Sequence, residues 1–150
     1  FNHARKRLIE NVSQDGGQDG MDGVLVGIKG KEIRYAAAYN KPIIIRNSEI
    51  MELEADKMPV GKSPKDGEAF KQYSMDLQKG DMLYFYTDGY GDQFGGEKGK
   101  KYKYTQLREK IKDISGMPMA KQRQILENEF ENWKDKLEQT DDVCILGIRM

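Results

Sequence analysis

The spacing of the short apolar runs limits the fold of this chain more than any other feature. Val24–Ile28, Lys31–Ala38, Pro42–Arg46 and Glu49–Leu53 follow one another with only a few residues between them. They read as a meander of β-branched runs at hairpin spacing, which predicts antiparallel neighbours. Lys29-Gly30-Lys31 marks one turn and Asn47-Ser48 a second, tighter one. Residues 55–68 carry Pro59, Gly61, Pro64 and Gly67 and read as a long loop. Tyr73, Met75 and Leu77 then alternate with polar residues, as in a half-buried strand. Gly80-Asp81 turns the chain into Met82–Thr87, its most apolar strand, and residues 88–101 are glycine-rich and irregular.

Helices frame these strands. Ala4, Leu8 and Val12, with Ile9 beside them, form an apolar face over Asn2–Val12, with Arg5, Lys6 and Arg7 facing away. The glycine-rich stretch Asp15–Gly20 ends that helix. Thr105 is placed to cap a helix bearing Leu107, Ile111 and Ile114, which Ser115-Gly116 breaks. Pro118 suits the first turn of another, with Leu126, Phe130, Trp133 and Leu137 as its stripe. Val143–Ile148 closes the chain as a strand in which Cys144 reads as a small buried apolar residue. Grouped helices beside hairpin-spaced strands predict one α+β unit with a largely antiparallel sheet.

Composition excludes several functions. Lys+Arg and Asp+Glu are both 25, so the chain lacks the net positive charge on which nucleic-acid binding through bulk electrostatics depends. A single cysteine forbids an intrachain disulfide and points to a reducing compartment, the cytoplasm. No apolar run approaches the length of a membrane span, so no membrane contact is expected from this segment. His3 is the only histidine, which excludes zinc sites built on His and Cys and leaves a Ser-His-Asp or Cys-His device without a base. Gly95–Lys101 superficially resembles a phosphate loop. Its glycines are one residue too close, and Lys101 stands where a Ser or Thr is needed. Lys98, Lys100 and Lys101 therefore read as a basic loop, with contact to a phosphorylated substrate as their candidate role.

The remaining chemistry lies in carboxylates at strand ends. Asp88 follows the Met82–Thr87 strand, and Asp141 and Asp142 precede the last one. Two adjacent strand ends can bring such groups close enough to share a hard divalent cation, which takes oxygen ligands. Gly89 would let backbone pass near such a centre without a side chain in the way. Asp-Gly between apolar strands is also a common hairpin signal, and paired aspartates also make polar turns. The residues alone leave both readings open.

The run Leu83-Tyr84-Phe85-Tyr86-Thr87-Asp88-Gly89, with Gly80-Asp81 ahead of it, resembles the GD.LYLYTDG segment of the metal-dependent protein phosphatases. That family is the PPM, or 2C, class, and the resemblance is to its SpoIIE-like branch. Thr140-Asp141-Asp142-Val143 is similar to the terminal DD.T motif, with Cys144 in place of its Thr. Asp19-Gly20-Met21-Asp22 resembles DGMD, Tyr35–Pro42 resembles YAGANNP, and Lys57–Gly61 resembles K.PIG. The order is that of the family across nearly the whole chain.

The resemblance implies an α-β-β-α sandwich of mostly antiparallel sheets. It implies hydrolysis of phosphoserine or phosphothreonine on a protein by metal-activated water, with no phosphoenzyme. Asp88 and Asp141 match metal-ligand positions for Mn²⁺ or Mg²⁺, two ions being expected in the whole domain. Gly89 and Asp142 lie beside them, and Asp22 matches no ligand. The family's earlier motifs, D..G.F and D.TGHG, do not occur here. Residues 1–150 are thus expected to form the C-terminal part of one phosphatase domain that lacks its N-terminal strands and part of its metal site. The expected setting is bacterial signalling, with a phosphoprotein substrate and upstream sensor domains, in the cytoplasm or the cytoplasmic part of a membrane-anchored protein. Exposed sheet edges and apolar faces in such a piece predict homodimerisation, strand exchange or a smaller rearranged sheet. The alternative is a non-catalytic phosphatase-like interaction or regulatory module.

Overall fold

The computed structural model describes residues 1–12 and 20–150. Most of the glycine-rich turn, including Asp19 of the DGMD-like motif, lies outside the described residues. In chain order the elements are α1 (Asn2–Asn11), β1 (Gly20–Met21), β2 (Gly23–Lys29), β3 (Glu32–Ala38), β4 (Ile43–Arg46) and β5 (Glu49–Glu52). They continue with β6 (Val60–Gly61), β7 (Tyr73–Asp76), β8 (Met82–Tyr86), α2 (Gly89–Asp92), β9 (Phe94–Gly95) and β10 (Lys100–Lys101). The chain ends with α3 (Tyr104–Ile114), α4 (Met119–Lys134) and β11 (Ile145–Arg149). The class is α+β with antiparallel strand pairing, as the run spacing predicts.

The chain divides into two compact units. The first comprises residues 1–42 and 52–79. Its sheet has the order β2-β3-β7, and β1 pairs with β6. Gly30 takes a positive φ of 61° in the β2–β3 turn, which a residue without Cβ adopts at little cost. Ala38, Met58, Val60 and Phe70 form a small core, with the Phe1 ring edge-on to Phe70 at 5.2 Å. Helix α1 packs on β6, with Leu8 and Ile9 of the predicted face half-buried but that face shifted to centre on Arg5. Arg5 is the buried residue (5 % exposed), whereas Ala4 is exposed and Val12 is 53 % exposed. The Arg5 guanidinium donates to the Glu68 carbonyl and lies 4.9 Å from the centre of the Phe70 ring. The carbonyl and the ring face offset part of the cost of burying this cation, and its apolar stem packs beneath them.

The second unit comprises residues 43–51 and 80–150. Its sheet has the order β11-β8-β4-β5. Asn47 and Ser48 both take positive φ, 51° and 62°, the geometry of a two-residue hairpin turn. Ile43, Ile45, Met82 and Tyr84 pack with Leu107, Ile111 and Ile114 of α3 and Leu126 and Phe130 of α4. Asp81 is almost wholly buried and makes a two-pronged ion pair with Arg46, at 2.9 and 2.6 Å. Such fork-to-fork geometry satisfies both carboxylate oxygens at once.

Four local details differ from expectation. Thr105 does not cap α3, because Lys103 is its first carbonyl acceptor, for Leu107 N–H at 3.2 Å. Helix α4 ends at Lys134 because Asp135 takes a φ of 48°, so Leu137 lies beyond it and is 49 % exposed. The expected irregular stretch 88–101 holds α2 and the β9–β10 ribbon. Cys144 is exposed and precedes β11, and the alternation along this stretch buries Val143 and Ile145 more deeply instead.

Burial pushes the Tyr84 phenol up to about 12, and raises Tyr90 and Tyr102 in the same direction. The fold therefore favours the protonated phenols. The stability this brings is complete below the usual tyrosine pKa near 10 and is lost as the pH rises through about 12. The urea midpoint, followed by circular dichroism, should fall steadily from pH 9 to pH 12, and Tyr84→Phe should flatten that fall. An unchanged midpoint over this range would contradict the burial argument.

Candidate metal-binding site

The second unit brings the C-terminal end of β8 next to the segment that leads into β11. These strands pair antiparallel with Tyr86 opposite Ile145 and Met82 opposite Arg149. Thr87 extends the pairing. Its N–H donates to the Cys144 carbonyl at 3.0 Å, and its Oγ1 accepts from Cys144 N–H at 2.9 Å. The same hydroxyl donates to the Asp142 carbonyl at 2.8 Å.

Gly89 lies against the aspartate pair. A Cβ at this position would stand 2.5 Å from the Asp142 carbonyl oxygen and 3.2 Å from the Asp141 carbonyl carbon. Glycine is thus required by close approach of backbone to backbone. Asp88, one residue earlier, is half-buried, while Asp141 and Asp142 are exposed. Asp141 Oδ1 accepts from the Asp142 N–H at 2.7 Å, which fixes that carboxylate relative to its own backbone. The structure therefore gathers Asp88, Gly89, Asp141 and Asp142 at one sheet end, and the simple β8 hairpin reading of Asp88-Gly89 does not hold. Asp88 instead precedes α2, whose Asp92 N–H donates to the Asp88 carbonyl at 3.0 Å.

Asp92 carries no mark in the sequence as a site residue. It lies four residues after Asp88, and the carboxylate of each acts on Tyr104. Burial, then Asp92 and Asp88, push that phenol up to about 12. An Asp-x-x-x-Asp spacing across a Gly-rich turn is the signal that could have found it. Asp92 Oδ1 also binds Lys101 Nζ at 3.1 Å, and that ammonium sits 5.8 Å from the Phe94 ring centre. Of the three lysines, Lys101 is thus tied to the site's own carboxylate. Lys98 and Lys100 are exposed, Lys98 in the turn of the β9–β10 ribbon and Lys100 paired with Gly95 across it.

The glycines of this ribbon have a structural reason. A Cβ on Gly95 would fall 1.9 Å from the Trp133 carbonyl oxygen, and Gly96 N–H donates to that oxygen at 2.9 Å. Trp133 Nε1 donates to the Gln93 carbonyl at 3.0 Å, and its ring meets Tyr102 edge-on at 5.2 Å. The ribbon is therefore fastened to the end of α4, which explains its resemblance to a phosphate loop without any phosphate.

The donor set here is all oxygen. Carboxylates of this kind fit the hard ions Mg²⁺ and Mn²⁺ and suit neither zinc–thiolate nor copper chemistry. Among the described residues, no three or more His, Cys, Asp or Glu side chains are grouped so as to hold a metal ion. Asp88 and Asp141 would thus supply two carboxylates to an ion, with the other positions filled by water or by ligands outside the described residues.

A family model described as Stage II sporulation protein E (SpoIIE) matches residues 8–150, and the chain belongs to that family. Similar solved structures are phosphatase domains. The SiaA-PP2C domain of Pseudomonas aeruginosa aligns with a TM-score of 0.85 at 22 % identity, covering 97 % of this chain and 57 % of that one. The phosphatase domain of the cell fate determinant SpoIIE from Bacillus subtilis gives 0.57 at 12 % identity, covering 99 % and 64 %. The catalytic domain of the serine threonine protein phosphatase PstP, solved in complex with 2 manganese ions, gives 0.63 at 12 % identity, covering 96 % and 64 %. The fold is that of PP2C-type phosphatase domains, and the chain spans about three fifths of the length of these structures. No curated protein matches the chain in sequence.

Gly89→Ala should push the Asp141–Asp142 backbone away from β8. Overpacking of this kind costs about 1–3 kcal/mol. Urea unfolding should show that loss, while Gly67→Ala, where a Cβ meets nothing within 4 Å, should leave stability nearly unchanged.

Proposed function

We propose that this chain forms part of a metal-dependent phosphatase that hydrolyses phosphoserine or phosphothreonine on a protein substrate in bacterial signalling. One observation carries the reading: Gly89 packs directly on the Asp141–Asp142 backbone, so the two aspartates that match family ligand positions share one sheet end. Family membership and the PP2C-type fold support it. When bound, Mn²⁺ or Mg²⁺ would acidify a water molecule and neutralise charge on a phosphoryl group. The protein's own residues do the placing. Asp88 and Asp141 supply the carboxylates, Gly89 allows their approach, and the Thr87 hydroxyl locks the Asp142 carbonyl.

The family resemblance implies attack by metal-bound water, so the reading includes no phosphoenzyme. Lys98 and Lys100 at the β9–β10 ribbon would meet the anionic substrate, with Lys101 held by Asp92 as a structural cation. No helix among the described residues is long and apolar enough to cross a membrane. We place the chain in the cytoplasm or the cytoplasmic part of a longer sensor protein, with sensor domains upstream and a second copy as a possible partner.

A second reading is a non-catalytic phosphatase-like interaction or regulatory module. The lack of any group of three metal-ligating side chains among the described residues favours it.

Phosphopeptide hydrolysis with Mn²⁺ separates the two, measured on this chain and on the longest polypeptide its gene encodes. The phosphatase reading expects activity in the longer protein and at least a hundredfold loss on Asp88→Asn or Asp141→Asn. Lys98→Glu with Lys100→Glu should raise KM severalfold and leave kcat within about twofold, the pattern of lost substrate binding. No hydrolysis by the longer protein, or hydrolysis indifferent to Asp88→Asn, would favour the interaction module.

A further inference from the structure

The segment between α4 and β11 carries Asp141, yet it has no regular secondary structure and its residues 135–142 are exposed. A metal ligand on such a segment needs to be held from both sides. Downstream, Thr87 supplies that hold through its bonds to Asp142 and Cys144. Upstream, one side chain reaches the segment from the end of α2.

That side chain is Gln93, which is fully buried (0 % exposed). Its Nε2 donates to the Glu138 carbonyl at 2.9 Å and to the Phe94 carbonyl at 3.0 Å. Its Oε1 accepts from the Thr140 N–H at 3.2 Å. Gln93 is itself fixed, because its carbonyl accepts from Trp133 Nε1 at 3.0 Å and from Tyr102 N–H at 2.9 Å. Only an amide offers two donors and an acceptor in this geometry; a carboxylate would face two carbonyl oxygens with no proton to give. Asp141 follows directly on Thr140. From there Gln139 Nε2 donates to the Asp141 carbonyl at 2.8 Å, continuing the ordering towards Thr87.

We propose that Gln93 is a positioning residue. Its side-chain amide clamps Glu138 and Thr140 so that Asp141 is held ready beside Asp88 for the divalent ion. This rests on the reading that Asp88 and Asp141 are metal ligands.

The second unit contains a matched control. Gln122 is also buried (2 % exposed), and its Nε2 donates to the Ser115 and Met117 carbonyls at 3.0 and 2.8 Å. Its Oε1 accepts from Tyr84 Oη at 2.7 Å. It performs the same bonding work for the α3–α4 turn, away from the aspartates in sequence and hydrogen bonding.

The test compares Gln93→Met and Gln122→Met, which remove the same groups at similar volume. Amide hydrogen exchange at Thr140 and Asp142 and Mn²⁺ titration followed by water-proton relaxation are the readouts. Gln93→Met should speed exchange at both amides at least tenfold and raise the Mn²⁺ half-saturation concentration about tenfold. Gln122→Met should leave both readouts within twofold, even where it lowers the unfolding midpoint as much. Should Gln93→Met fail to fold, Gln93→Asn serves, since its amide falls one methylene short of Thr140. Unchanged exchange at Thr140 and Asp142, or equal weakening of Mn²⁺ binding by both Met variants, overturns the proposal. If the parent chain binds no Mn²⁺, or Asp88→Asn titrates like the parent, the metal reading fails for this chain, and the exchange data alone then decide whether Gln93 holds the segment.

Discussion

The antiparallel register of β8 with β11 is the constraint on which the rest of the second unit depends. Tyr86 faces Ile145, so Asp88 and Asp142 lie two and three residues beyond the last paired positions, on opposite strands of the same ladder end. A slip of one residue would turn every side chain of β11 to the opposite face and separate the aspartates. The other end of the ladder is pinned as well. Gly80 N–H donates to the Met150 carbonyl at 2.8 Å, and Met150 N–H to the Asp81 carbonyl at 2.9 Å. Asp81 is held in turn by Arg46. One end of the strand pair is thus locked by an ion pair and the other by a threonine hydroxyl.

What the sequence made legible was chiefly local. The Asn47-Ser48 turn, the β2–β3 and β4–β5 hairpins and the Leu107, Ile111, Ile114 stripe follow from neighbours a few residues apart and are present. The expected meander breaks between β3 and β4, which belong to different sheets because they pair with the distant β7 and β8. The features that escaped depend on distant partners. Arg5 reads as a solvent-facing cation in a helix, but the Glu68 carbonyl and the Phe70 ring make it a buried one. Gly95 and Gly96 read as a flexible loop, but Trp133 is what makes them glycine. In each case the deciding atom lies more than thirty positions away, beyond the reach of periodicity or turn chemistry.

The candidate site divides in the same way. Asp88, Gly89, Asp141 and Asp142 are legible from their place at strand ends and from the family motifs that carry them, and the structure brings them to one place. Asp92 and Gln93 were not found, although they sit within five residues of Asp88. Asp92 acts through its charge on Tyr104 and its pairing with Lys101, and Gln93 through a segment 45 residues further along. A polar residue in a glycine-rich stretch gives no sign of its burial until the stretch folds. Cys144 makes the complementary point. An apolar context predicted burial, and strand alternation placed it outside.

Trp133 is the only tryptophan in the chain. Its indole N–H binds the carbonyl of Gln93, the residue whose side chain holds Glu138 and Thr140, and its ring lies against Tyr102, Gly95 and Gly96. The chain therefore carries an intrinsic fluorophore wired to the aspartate-bearing segment. Its emission colour and quenching by dissolved agents report the order of that segment without any added label.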